Sequence, residues 1–189
     1  QSDGAFLEGL AYAQMSGGAM VSIIGNIHAN NDLRCDQYPF LAKFWRWLLQ
    51  MQMPGQYLVN CADCNLAKLP PWSTNSPLSS IVDAAFASGD TRALEAVKFA
   101  FPKSEDTLSG LQYFDAVSRV SAPAVWPLPL YEFFPSQQLL VWKSAYEAPA
   151  KLQSALGLWI KGGTLGEKSH GHRDQGQISV YKGNTVILL

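Results

Sequence analysis

Three side chains near the end of this 189-residue chain can act together in one chemical step, namely His170, His172 and Asp174, set in Ser169-His170-Gly171-His172-Arg173-Asp174-Gln175 just before an alternating stretch. On extended backbone, side chains two residues apart point the same way, so two imidazoles can serve one metal ion or one substrate. The chain holds only three histidines. Two of them in one tripeptide, flanked by Gly162, Gly163, Gly166 and Gly171, mark a site rather than a packed core. Around them Lys161, Lys168, Arg173 and Lys182 outnumber Glu167 and Asp174. That local excess of cations suits an anionic ligand, which Arg173 would bind, and suits an ordinary solvated loop as well.

The other reactive residues carry less. Of the three cysteines, Cys61 and Cys64 form a lone Cys-x-x-Cys, a weak zinc or redox signal, and an odd count completes no disulfide framework. One bridge from Cys35 to either of them would need an oxidising compartment, and buried thiols are the plainer reading. The net charge of −1 gives no global field to gather nucleic acid. No apolar run is long enough to span a bilayer, and no basic-then-apolar leader opens the chain. It opens at Gln1 rather than Met, as a processed chain or a fragment would.

Helical spacing governs the first two thirds. Residues 5–24 read as one helix, weakened by Gly17-Gly18. Phe40, Phe44 and Leu48, with Leu41, Trp45 and Leu49, recur four apart behind Asp36 as N-cap, and predict an amphipathic helix ending before Pro54-Gly55. Ser76-Pro77 starts another that fades at Ser88-Gly89. Asp90 caps the next, through Leu94, Val97 and Phe101 to Pro102. Then Pro123, Pro127, Pro129 and Pro135 punctuate a linker that no long helix could cross. Beyond it, residues 139–146, 155–160, 177–181 and 185–189 read as strands, the last two joined by a hairpin turn at Lys182-Gly183-Asn184. The expected fold is therefore α+β, with a helical region at 1–122, a Pro-rich linker at 123–137 and an antiparallel β region from 138 to 189. So few strands would leave open edges, so the natural protein is expected to continue.

The stretch from Ser169 through Gln175 to Gly176-Gln177-Ile178-Ser179-Val180-Tyr181, followed by Gly183 and an apolar strand, resembles the heparinase II/III-like family of polysaccharide lyases, which includes related alginate lyases. A second stretch, Asp3-Gly4-Ala5-Phe6-Leu7-Glu8-Gly9-Leu10-Ala11-Tyr12, is similar to the family's helix that supplies a catalytic tyrosine. The two come in family order, and about 25 residues match tightly. The resemblance implies the last helices of an incomplete (α/α) toroid followed by the first strands of an antiparallel β-sandwich, with the active site in the cleft between them. It implies Tyr12 and His170 as the catalytic pair, and His172 as ligand to a structural zinc ion whose remaining ligands would fall beyond Leu189. It also implies an acidic polysaccharide as substrate and a periplasmic or secreted location.

Such a site must perform β-elimination on a uronic acid. The enzyme neutralises the carboxylate, removes the proton from the carbon beside it and protonates the departing glycosidic oxygen. A tyrosine suits the last two roles once a nearby cation lowers its pKa from about 10. The family's Asn or His that binds the carboxylate would precede Gln1. Asn26 and His28, in Asn26-Ile27-His28-Ala29-Asn30-Asn31, are polar enough to line the cleft, although a helix-terminal turn with capping Asn is the plainer reading. Trp72, Trp126 and Trp159 lie off the obvious helix core stripes and suit sugar platforms or a core alike, a choice the sequence does not make, whereas Trp45 lies on one.

Two rival readings remain open. His-x-His-x-Asp also begins the metal motif of metallo-β-lactamase-like zinc hydrolases, in which two zinc ions activate water. There the motif continues with His and precedes a helix, whereas here Gln175 and an alternating stretch follow. The third reading is a non-catalytic carbohydrate-binding fragment.

Overall fold

A computed structural model describes residues 2–30, 38–62, 64, 77–100, 111, 113–124, 128–146, 154–163 and 174–189; at 14, 15, 25, 26, 28–30, 56 and 77–80 it describes the backbone alone. The chain is α+β: helices come first, then a five-stranded antiparallel sheet.

The first helix begins later than its apolar spacing predicts. Residues 5–9 are not helical, because Gly9, the residue before the helix, sits at φ 85, where only glycine is comfortable. Then follow α1 (Leu10–Tyr12), a π-helical turn (Ala13–Gly17) and α2 (Gly18–Asn30). The wide turn falls at the expected weak point, and Gly17 there lies flush against the Phe44 ring: a Cβ would stand 2.8 Å from Phe44 Cζ. Next comes α3 (Pro39–Gln50). Asp36, read as its cap, lies outside the described residues. The helix instead starts after extended Tyr38 with Pro39 in its first turn, a position that loses no backbone bond to proline. It buries Leu41, Phe44, Trp45, Trp47, Leu48 and Leu49, each of the fully covered ones contributing about 1.5–3 kcal/mol by leaving water. The helices α4 (Pro77–Ser88), α5 (Thr91–Ala100) and the short α6 (Phe114–Ser118) follow, α4 packing on α2 and α3. Asp90 does cap α5, its Oδ1 accepting the Arg92 amide at 3.0 Å.

The sheet is a meander of β1 (Tyr131–Phe134), β2 (Leu139–Lys143), β3 (Leu156–Lys161), β4 (Ile178–Lys182) and β5 (Thr185–Leu188). Strand β1 forms inside the stretch that its prolines mark as linker. It is an edge strand, where flanking Pro129 and Pro135 cost no ladder bond. Alternation sorts the two faces. Phe134, Leu139, Val141, Lys143, Trp159, Ser179 and Tyr181 are buried toward the helical layer. On the other face Tyr131 pairs with Trp142, Phe133 with Leu140, Leu158 with Val180 and Ile160 with Ile178. That outer face is apolar as well, and Tyr131, Leu140, Trp142, Leu158 and Ile160 line a shallow hollow on it.

Helical layer and sheet are joined by side chains crossing from α3 and residues 52–60. Trp47 Nε1 donates to Gln137 Oε1 at 2.8 Å, Arg46 pairs with Glu132 at 2.8 Å, and Tyr181 hydroxyl donates to Asn60 Oδ1 at 3.0 Å. Gly55, at φ 70, abuts the β4–β5 turn so closely that a Cβ would stand 2.1 Å from Gly183 O.

Candidate active site

The segment that leads into Tyr12 is tied to the β1–β2 turn by polar groups of both. Asp3 accepts the Ser136 amide at 2.8 Å and the Ser136 hydroxyl at 2.7 Å, and the Ala5 amide at 3.3 Å. Partial burial pushes the Asp3 carboxyl up, but these donors outweigh it and hold the group below the usual carboxylate range. Gln137 Nε2 donates to Phe6 O at 2.5 Å. The N-terminal segment is thus fixed to the β1–β2 turn before α1 begins. Tyr12 closes α1, half-buried, at the entry to the π-helical turn. Such turns widen a helix and occur often at functional sites.

Gly9 meets a second element, the turn at Cys61-Ala62. A Cβ at Gly9 would stand 2.8 Å from Cys61 O, 3.2 Å from Ala62 Cβ and 3.8 Å from Cys64 Cβ. Ala62 holds φ 59, rare for a residue with a side chain, and Cys64 N–H donates to Ala62 O at 2.7 Å. The Ala62 amide donates to Asp174 Oδ2 at 2.5 Å, a short, charge-assisted bond. Asp174 in turn begins the tight turn into β4, its carbonyl accepting the Gln177 amide at 3.0 Å, while Gly176 N–H reaches Lys161 O at 2.8 Å. One turn therefore receives both the segment entering Tyr12 and the residue that closes the His-x-His-x-Asp motif. Cys61 beneath it is 2% exposed. Burial pushes its thiol up to about 12, Lys161 pulls the other way, and Asp174 and Cys64 add to the rise.

Of the residues that sequence singles out, Asp174 is brought to this turn, and Tyr12 stands one helical turn beyond Gly9, which packs on it. Asn26 and His28 lie in the last turns of α2, and their side chains are not among those described. His170, His172, Arg173, Cys35, Trp72 and Trp126 lie outside the described residues. Trp159 is no sugar platform: it is fully buried on the inner face of β3, its Nε1 donating to the Tyr181 hydroxyl at 3.2 Å. Alternation on a strand, not helical spacing, decides its side. Trp45 is core as expected, 4% exposed.

Sequence reading misses Lys143. It ends β2 on the buried face, its Nζ donating to both Gln50 O and Gln50 Oε1 at 2.9 Å and standing 5.6 Å from the Tyr146 ring centre. Burial lowers it from 10.5 to about 7, with Glu132 opposing. The signal was present: Leu139, Val141 and Lys143 share one face of an alternating strand, so an inward Leu and Val commit the lysine to the inside.

Among the described residues no three His, Cys, Asp or Glu side chains converge as a metal site, and none of the helices is long and apolar enough to cross a membrane. No protein-family model and no curated protein matches this chain.

Proposed function

We propose that this chain is part of a polysaccharide lyase that cleaves a uronic-acid-containing polymer by β-elimination, with Tyr12 and His170 as its acid and base. The observation that carries the reading is the shared turn. Gly9 packs on Cys61-Ala62 and Asp174 binds the Ala62 amide, so one residue from each of two stretches some 160 residues apart in sequence lies against the same turn. Four residues of chain reach at most about 14 Å, which limits how far His170 can stand from Asp174. Tyr12 lies one helical turn beyond Gly9. A sugar held between helix and sheet would then meet both.

In this reading the tyrosine hydroxyl protonates the departing glycosidic oxygen and His170 takes the proton from the carbon beside the carboxylate, while Arg173 and the neighbouring lysines balance the charge that develops. Asn26 and His28 are proposed to line the cleft. His172 is proposed as this chain's donor to a zinc ion, which would stiffen the β region and takes no part in the proton transfers. The stretch after the motif is strand β4 rather than a helix, which favours the lyase over a metallo-β-lactamase-like hydrolase. The helices are proposed as the end of an (α/α) toroid. The apolar outer face of the sheet supports a sandwich, since a sheet apolar on both sides is built to be covered on both. A periplasmic or secreted location goes with this reading.

The test is product chemistry with the full-length protein. Alginate or heparan-type polymers should yield unsaturated, ultraviolet-absorbing ends, and Tyr12→Phe should lower turnover by about 10²- to 10⁴-fold while leaving stability unchanged. New reducing ends without that absorbance mean hydrolysis, and binding without cleavage means a carbohydrate-binding fragment; either result ends the proposal.

A further inference from the structure

The proposed reaction leaves the Cys61-x-x-Cys64 pair unused, although it carries the turn on which Gly9 and Asp174 meet. Both side chains are reduced thiols, Cys61 buried and Cys64 partly exposed. Both lie against Gly9, where a Cβ would stand 2.8 Å from Cys61 O and 3.8 Å from Cys64 Cβ. Cys64 N–H donates to Ala62 O at 2.7 Å, and Ala62 holds φ 59. A residue with a side chain keeps that conformation only where its surroundings impose it. Here Gly9 and Asp174 are those surroundings.

We propose that Cys61 and Cys64 are a modification site: in an oxidising compartment they close into a disulfide that staples the turn holding Asp174. The order of events follows from exposure. Cys64, the accessible thiol, attacks as thiolate on a small-molecule disulfide, forms a mixed disulfide and expels one thiol. Cys61 then gives up its proton to solvent and attacks the Cys64 sulfur, forming the Cys61–Cys64 bond and expelling the second thiol. Two protein thiols are oxidised and one external disulfide is reduced to two thiols. Burial keeps Cys61 protonated, so the second step is the slow one. The proposal stands apart from the lyase reading, because the thiols can pair whether or not the cleft is catalytic.

The experiment incubates the full chain with oxidised glutathione, alkylates the remaining thiols and maps them by mass spectrometry. The expected course is early glutathione on Cys64, then simultaneous loss of alkylation at Cys61 and Cys64 with a peptide linking the two. The oxidised protein should melt about 4 °C or more higher, the gain for so short a loop in a chain of this size. Exchange of the Ala62 amide should slow on oxidation. Cys35→Ala should behave as wild type. Cys64→Ala should lose the shift, and if it fails to fold the wild-type map decides alone. A bridge to Cys35, a mixed disulfide that never closes, thiols that stay alkylatable, or closure with no change in melting and in Ala62 exchange would each overturn the proposal.

Discussion

Lys143→Met should change how stability depends on pH, and the structure says in which direction. The lysine is buried with two acceptors, Gln50 O and Gln50 Oε1, which match the two N–H groups of a neutral amine. A third proton finds only the Tyr146 ring. The charged group facing it is Glu132 on β1, already paired with Arg46 of α3. Burial therefore lowers its pKa from 10.5 to about 7, and between those values the unfolded chain binds a proton that the folded chain does not. Stability from this group must then rise with pH across that window and level off below about pH 7.

The usable range ends near pH 9.0, where Cys61 is half ionised in the unfolded chain while its folded thiol, pushed to about 12, stays protonated. That group loses stability as pH rises. Between about pH 7 and 9, Lys143 alone should add on the order of 2 kcal/mol. Methionine fills a similar volume and does not titrate. It leaves the Gln50 acceptors unpaired, an offset of about 1–3 kcal/mol that is the same at every pH. Urea unfolding of both proteins across this range isolates the difference: the wild type should gain on the variant by about 2 kcal/mol. Parallel lines would mean that Lys143 keeps its proton on folding, and the argument from burial would fail.

In the full-length protein, His170→Ala should abolish turnover while leaving bound zinc and melting temperature unchanged, whereas His172→Ala should lose metal first and melt earlier, because structural zinc sites contribute folding free energy directly; equal zinc content in the two variants refutes the division. Gly55→Ala should be among the costliest small changes in the chain, since its Cβ would stand 2.1 Å from Gly183 O on a backbone at φ 70. A loss of about 3 kcal/mol or more, read by urea unfolding, is expected because neither backbone can yield without moving the β4–β5 turn off residues 54–56.

Much of the frame is legible in the residues because its signals are local. The four-residue spacing from Phe40 to Leu48 predicts α3, and Asp90 predicts the start of α5, since each depends on neighbours within a turn or two. The β4–β5 hairpin is written in Lys182-Gly183-Asn184 and the alternation on either side of it. Strand β1 escapes because its four residues, Tyr131-Glu132-Phe133-Phe134, lie between two prolines and gain their pairing from β2 alone. Trp159 escapes for a different reason. Its neighbours Gly157 and Lys161 give no apolar stripe, and the inward side is set by register against Val141 and Ser179, information that resides on other strands.

The candidate site is legible in a different sense. Residue types and spacing mark Tyr12 and the His-x-His-x-Asp motif, but nothing local joins them. What brings the neighbours Gly9 and Asp174 to one turn is residues with no chemistry of their own: Gly9 itself, which must lack a Cβ to let Cys61 O approach, and Ala62, whose contribution is a backbone amide aimed at Asp174. A backbone donor has no sequence signature, since every residue but proline carries one. Only the left-handed turn at Ala62 selects this amide, and that turn is held by tertiary contact rather than by a glycine or asparagine that could be read beforehand. Where two halves of a site are brought together by main-chain atoms, composition can name the reacting groups while the fold alone determines whether they meet.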